Sequence, residues 1–157
     1  MITNVRLAGL GGQGIIRASD ILAEVAFRLG RDVKKSELHG MSQRGGSVTS
    51  DVRFGDRVWS PMIPAGEVDF LLVTAAEEVE HNLPALRAGG VLIRPEEVPA
   101  DAALHPRSLN VALLGILSRY LDWPEAVWRE VIREAFAGEL AVRNERAFQI
   151  GRGVTLP

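Results

Sequence analysis

The spacing of apolar residues changes several times along the chain, and the changes order its elements. Val5 to Leu10 is a short apolar run closed by glycines, the pattern of a buried strand. From Ile15 to Leu29 the apolar residues Ile15, Ile16, Ala18, Ile21, Leu22, Val25, Ala26 and Leu29 fall at helical spacing, and Gly30 supplies a stop. Val33 to Gly46 follows neither period, because Lys34, Lys35, Ser36, Glu37, His39, Ser42, Gln43 and Arg44 crowd it with polar groups. Val48 to Phe54 alternates apolar with polar residues, as a strand with one wet face does. Gly55-Asp56 reads as a turn, and Arg57 to Ser60 as a short return strand. Val68 to Thr74 is a second buried strand, followed by a helix from Ala75 to Ala88 that Gly89-Gly90 closes. Val91 to Arg94 is another strand, and Pro95 to Pro106 a connection. Leu109 to Leu121 is a mostly buried helix. Pro124 opens the next one, Glu125 to Phe136, and a last helical segment lies around Asn144 to Ile150.

This order predicts an α/β protein: a three-layer α/β/α arrangement with a mixed, mainly parallel sheet and a helical C-terminal third. The sheet is expected to contain Val5–Ala8, Val48–Phe54, Val68–Val73 and Val91–Arg94. The chain of 157 residues shows no repeat, low-complexity tract or linker, so residues 1–157 are read as a single domain.

Composition narrows the function. A net charge of -2 gives no electrostatic footprint for nucleic acid or an acidic membrane surface, so neither is an expected partner. The absence of cysteine excludes from this chain a disulfide, a thiolate nucleophile, a Cys-ligated zinc and a Cys-ligated iron–sulfur cluster. Met1 to Arg6 runs into a strand with no charged segment ahead of an apolar one, and runs such as Phe70 to Val73 are too short to cross a bilayer. A cytoplasmic location is expected.

Two segments concentrate chemistry. Gly9-Leu10-Gly11-Gly12-Gln13-Gly14 satisfies G-x-G-x-x-G between a strand and a helix, where backbone N–H groups meet an anion at a positive helix end. One reading is a phosphate or pyrophosphate seat or a partner contact; the other is a tight turn that only lets strand and helix pack. Dinucleotide binding further needs an apolar second strand ending in an acid, and Val33-Lys34-Lys35-Ser36-Glu37 is too polar for one. The second segment, His39-Gly40-Met41-Ser42-Gln43-Arg44-Gly45-Gly46, combines a histidine, an amide, a hydroxyl and a guanidinium with three glycines. Turned N–H groups with Arg44 suit an anion, and a solvated turn is the plain alternative. His39 and Ser42 make a Ser–His hydrolase a weak rival, since no sequence feature places an orienting acid or an oxyanion hole. His39 has no Cys or acidic cluster at metal spacing.

The glycine loop through Ile15, with His39 to Val48, resembles the gamma-type domain of 2-oxoacid:ferredoxin oxidoreductases. Asn110-Val111-Ala112-Leu113-Leu114-Gly115 is similar to that family's Asn-containing helix start, and Asn144-Glu145-Arg146-Ala147-Phe148-Gln149-Ile150-Gly151 to its C-terminal N-x-x-A-F-x-x-G pattern. The four blocks fall in the family's order across nearly the whole chain, and His-Gly-Met-Ser-Gln before Arg44 looks like the indolepyruvate branch. The chain is shorter than typical members of that branch, above all between Pro95 and Pro106. The resemblance implies a subunit of a complex that oxidatively decarboxylates a 2-oxoacid, indolepyruvate or another aryl pyruvate, to an acyl-coenzyme A. It implies thiamine diphosphate, Mg and 4Fe-4S clusters on a large partner subunit, which passes electrons to ferredoxin. This chain has no Gly-Asp-Gly followed by Asn for a diphosphate–magnesium pair, and no catalytic set is read on it. Its expected contribution is Gly9, Gly11, Gly12, Gln13, Gly14, Gln43, Arg44, Gly45 and Gly46, facing coenzyme A or the subunit interface. The alternative is a stand-alone phosphate- or nucleotide-binding regulatory domain derived from the family.

Overall fold

A computed structural model of the chain describes residues 1–39 and 45–154. Its strands β1 (Ile2–Leu10), β2 (Asp32–His39), β3 (Ser47–Gly55), β4 (Val68–Val73) and β5 (Leu86–Ile93) form one sheet in the order β2-β3-β1-β4-β5. β4 runs parallel to both β1 and β5, whereas β3 is antiparallel to β1 and to β2. Four strands therefore point one way and β3 alone runs against them. The sheet is mixed and mainly parallel, as expected.

The helices are α1 (Ile15–Arg28), α2 (Val79–Asn82), α3 (Leu109–Leu117), α4 (Glu125–Ala135) and α5 (Glu139–Arg152), so the C-terminal third is helical. α1, α3, α4 and α5 share one core with Val5 and Leu7 of β1, Val52 and Phe54 of β3, Leu72 of β4 and Ile93 of β5. α3 lies deepest: Asn110 through Leu117 are all buried, which fits its almost wholly apolar sequence. Trp128 of α4 fills the space between Trp123 and Phe148, at ring-centre distances of 5.7 and 5.5 Å. The opposite layer is thin. Ala8, Leu71 and Val73 are covered there by Val79 of α2, Ile63 and Ala85. Among the described residues no helix is long and apolar enough to cross a membrane.

Two of the sequence blocks meet in the helical layer. A Cβ on Gly151 of α5 would lie 1.8 Å from the carbonyl oxygen of Ala112, and one on Gly115 of α3 would lie 2.2 Å from that of Phe148. The two helices cross backbone to backbone, which only residues without a side chain allow.

Three expectations need correction. The irregular stretch from Val33 forms a strand, β2, as far as His39, paired on one side only with β3. An edge strand tolerates polar residues, and Lys35 lays its stem beside α1 with its ammonium on Asp20 and Glu37. The helix from Ala75 to Ala88 shrinks to α2 between two 3₁₀ turns, because Pro84 cannot continue it, and Leu86 already begins β5. Gly89 and Gly90 sit inside that strand, where the register against β4 slips between Val68 and Phe70. Arg57 to Ser60 is not a strand. The Val58 N–H donates to the Asp32 carboxylate at 2.7 Å, and the Ser60 carbonyl accepts from Arg53 at 2.8 Å, so neither joins a ladder.

Candidate anion-binding cleft

β1 ends at Leu10 and the chain turns through Gly11 to Gly14 into α1. Gln13 ties this turn to the sheet: its Oε1 accepts the Leu10 N–H and the Thr74 hydroxyl, each at 2.7 Å. Thr74 follows β4 and donates its own N–H to the Ala8 carbonyl at 3.0 Å. With Oε1 doubly occupied as an acceptor, the Gln13 side-chain nitrogen keeps its protons for another partner. Gly14 precedes α1 with φ 71°, the left-handed region, and its carbonyl accepts from the Asn110 Nδ2 at 3.0 Å. A Cβ there would lie 2.4 Å from that nitrogen, so glycine loop and Asn110 block interlock. The Gly11 N–H donates to the Gly46 carbonyl at 2.8 Å, which joins the glycine loop to the end of the His39–Gly46 block. Gly46 is buried and Gly45 exposed; Gln43 and Arg44 lie outside the described residues.

A cleft of about 730 Å³ opens where α1 begins, lined by Gly12, Gln13 and Gly14, by Leu109 and Asn110, and by the turn from α4 into α5. Three guanidinium groups line it as well: Arg17, Arg107 and Arg143. No described residue lining it is acidic. The first N–H groups of α1 have no partner within the helix, so the helix dipole adds positive potential at the same place. Arg17 lies in the first turn of α1, donates to the Ala135 carbonyl and places its guanidinium 5.3 Å from the centre of the Phe136 ring. His105 accepts the Arg107 N–H on Nδ1 at 3.1 Å, so the neutral ring carries its proton on Nε2. That nitrogen faces Arg143 Nη1 at 3.4 Å, which sets donor against donor. The Arg143 Nε and the Asn110 Oδ1 are buried without a partner. Guanidinium, amide and backbone N–H groups hold charge and donate hydrogen bonds, a set suited to an anion.

Of the residues singled out in the sequence, Gly12, Gln13 and Gly14 line this cleft; Arg17, Arg107 and Arg143 line it too and were not singled out. One signal was readable. A cation three residues after Gly14, at the positive end of a helix, is unfavourable unless an anion comes to meet it. The topology also removes the dinucleotide alternative. The segment Val33 to Glu37 lies on edge strand β2, separated from β1 by antiparallel β3, so Glu37 is not beside the glycine turn.

Fold and cleft define an α/β domain with a cationic cleft at a glycine turn. Residues 4–154 match the family model described as pyruvate ferredoxin/flavodoxin oxidoreductase. The chain belongs to that family. It is 38% identical to the indolepyruvate oxidoreductase subunit IorB of Pyrococcus horikoshii, across 94% of this chain and 93% of that protein. In fold it is similar to the gamma subunit of a keto/oxoacid ferredoxin oxidoreductase from Geobacter sulfurreducens, with TM-score 0.78, 23% identity and 95% of each chain covered. It also matches a 2-oxoglutarate:ferredoxin oxidoreductase from Magnetococcus marinus, solved with 2-oxoglutarate, coenzyme A and succinyl-CoA bound. There the TM-score is 0.78 at 23% identity, and the match covers 96% of this chain but 30% of that one.

Proposed function

We propose that this chain is the small, gamma-type subunit of a cytoplasmic hetero-oligomeric ferredoxin oxidoreductase acting on indolepyruvate or another aryl pyruvate, and that it is inactive alone. The observation that carries this reading is the acid-free cleft with Arg17, Arg107 and Arg143 at the N-terminus of α1. Those groups suit the phosphates of coenzyme A, because guanidinium pairs with phosphate through two parallel hydrogen bonds. The orphaned Asn110 Oδ1 offers an acceptor to an N–H or O–H of the same ligand. A large partner subunit holds thiamine diphosphate with Mg and the 4Fe-4S clusters; it supplies the decarboxylation chemistry and the electron path to ferredoxin. The residues of this chain grip and orient the acyl acceptor. The aryl pyruvate assignment rests on likeness to the Pyrococcus subunit and on the His39–Arg44 sequence.

Reconstitution tests it. The purified chain is expected to reduce no ferredoxin with pyruvate, 2-oxoglutarate or indolepyruvate. Mixed with the cofactor-bearing large subunit, it is expected to restore coenzyme A-dependent turnover, with indolepyruvate preferred. Turnover by the isolated chain refutes the subunit reading, and preference for pyruvate refutes the substrate. Failure to join a large subunit, with retained affinity for nucleotide phosphates, favours the regulatory-domain alternative.

A further inference from the structure

The two faces of the sheet are unequally covered. α1, α3, α4 and α5 close the first face out to Val33 of β2 and Val48 of β3. On the second face the thin layer covers β1, β4 and β5 only. Asp32, Lys34, Ser36 and Leu38 of β2 share this second face with Arg53 and Asp51 of β3. What crosses them is a short strap, residues 57–62.

The strap is fixed. Val58 is buried, and its N–H is held by Asp32, whose carboxyl that bond and then Lys34 keep below the usual carboxylate range. Arg53 is 9% exposed and donates to the Ser60 and Met62 carbonyls at 2.8 and 2.7 Å and to the Asn4 Oδ1 at 2.9 Å. A buried guanidinium spending its bonds on a surface strap is more than a chain reversal requires. Its effect is to hold Trp59 and Met62 outward, 82% and 65% exposed. The Arg57 guanidinium lies 5.0 Å from the centre of the Trp59 ring. Met62 Sδ rests 3.8 Å from Ser36 Oγ, and Leu38, 72% exposed, follows on the same face of β2.

We propose that Trp59, Met62 and Leu38 form the surface on which the thiamine diphosphate-bearing chain of the complex docks, with Trp59 as the anchor. The proposal rests on the subunit reading and names its interface. Trp, Met and Arg are the residues interfaces concentrate, and a pre-set backbone lowers the entropy lost on docking. Two observations select this occupant. In the Magnetococcus protein the same fold is 30% of a longer chain, so the rest of a working polypeptide lies outside it and is available to cover a bare sheet face. The Leu38 end of β2 also pairs with Thr49 and Val48 of β3, next to Gly46, whose carbonyl holds the Gly11 N–H of the glycine turn, so the patch lies toward the site where both subunits would meet the ligand. A second copy of this chain is disfavoured, because Lys34 and Lys35 stud the edge a symmetric strand pairing would use.

The test is assembly of the complete complex. Trp59→Asp and the double variant Leu38→Asp/Met62→Asp are titrated against the cofactor-bearing large subunit, with Phe27→Asp on α1 as an exposed control. The patch variants are expected to bind at least about 30-fold more weakly, the loss of a strong hot spot, with unchanged thermal midpoints. Phe27→Asp is expected to bind as wild type. Trp59 emission is expected to shift to the blue on assembly of the wild type. Wild-type binding with undiminished patch variants overturns the docking surface alone. Absence of wild-type binding overturns the subunit reading beneath it. A self-association that the patch variants abolish while binding to the large subunit persists assigns the patch to a second copy and overturns the proposal.

Discussion

Replacing Gly151 by alanine inserts a Cβ 1.8 Å from the Ala112 carbonyl oxygen, with the Ala112 carbonyl carbon 2.8 Å away. Ordinary contact begins near 3.4 Å, so α3 and α5 must separate locally by about 1.6 Å. Both partners are backbone of packed helices, and the seam includes Phe148, which is fully buried. Overpacking of this kind costs about 3 kcal/mol, the upper end of the usual range, because no flexible side chain can yield. Alanine recovers about 1 kcal/mol of helix propensity. The net loss of about 2 kcal/mol lowers the thermal midpoint by about 4–8 °C for a chain of this size. Differential scanning calorimetry of Gly151→Ala beside Gly153→Ala measures it. Gly153 has ordinary contacts at 3.5 Å, so its variant should stay within about 0.5 kcal/mol of wild type. A midpoint that rises for Gly151→Ala would mean propensity acts unopposed and the helices do not meet through their backbones.

Removing cationic groups from the cleft should weaken ligand binding without unfolding the chain. Arg143→Ala is expected to lower affinity for coenzyme A about tenfold in isothermal titration, the loss of one charge-assisted contact, and to reduce its salt dependence; unchanged affinity would remove Arg143 from the site. Glu145 gives an acid-limb prediction. Arg133, and with it Arg129, holds its carboxyl below the usual carboxylate range and links α5 to α4. A depressed folded-state pKa contributes stability that is present above the unfolded value, about 4.3, and is lost as pH falls through the folded one. Glu145→Gln should therefore be less stable than wild type at pH 7, with the gap closing as the solution is acidified below pH 4. A gap that stays constant with pH would show that the ion pairs contribute nothing.

Elements whose apolar period matched their burial were legible in the sequence. α1, β3, β4 and α4 stand close to where the spacing put them, because α1, β3 and α4 each bury one stripe or strand face against the helical core and β4 is buried on both faces. β2 was not legible, since an edge strand pairs on one side and carries Lys34, Lys35 and Glu37 without leaving water. α2 failed for a different reason. Its pattern is helical, but Pro84 and the extended start of β5 leave room for a single turn.

The cleft divides the same way. Its glycine wall is local in sequence, and the strand–glycine–helix order makes it legible there. Its cationic wall is not local: Arg17 comes from α1, Arg107 from the turn before α3, and Arg143 from α5. The crossing of α5 over α3 at Gly115 and Gly151 positions the helix that carries Arg143, while Arg17 holds the α4–α5 turn through the Ala135 carbonyl and the Phe136 ring. Fold and site therefore share the α3–α5 contact. The Asn110 block supplies both the amide that holds Gly14 and the glycine against which α5 packs, and the C-terminal block supplies the matching glycine and Arg143's helix. A substitution that widens the α3–α5 seam should move Arg143 away from Arg17 as well as lower stability. Gly151→Ala ought therefore to lose coenzyme A affinity even at temperatures where it is fully folded. Full affinity in the folded variant would show that the cationic wall is held by contacts other than this crossing.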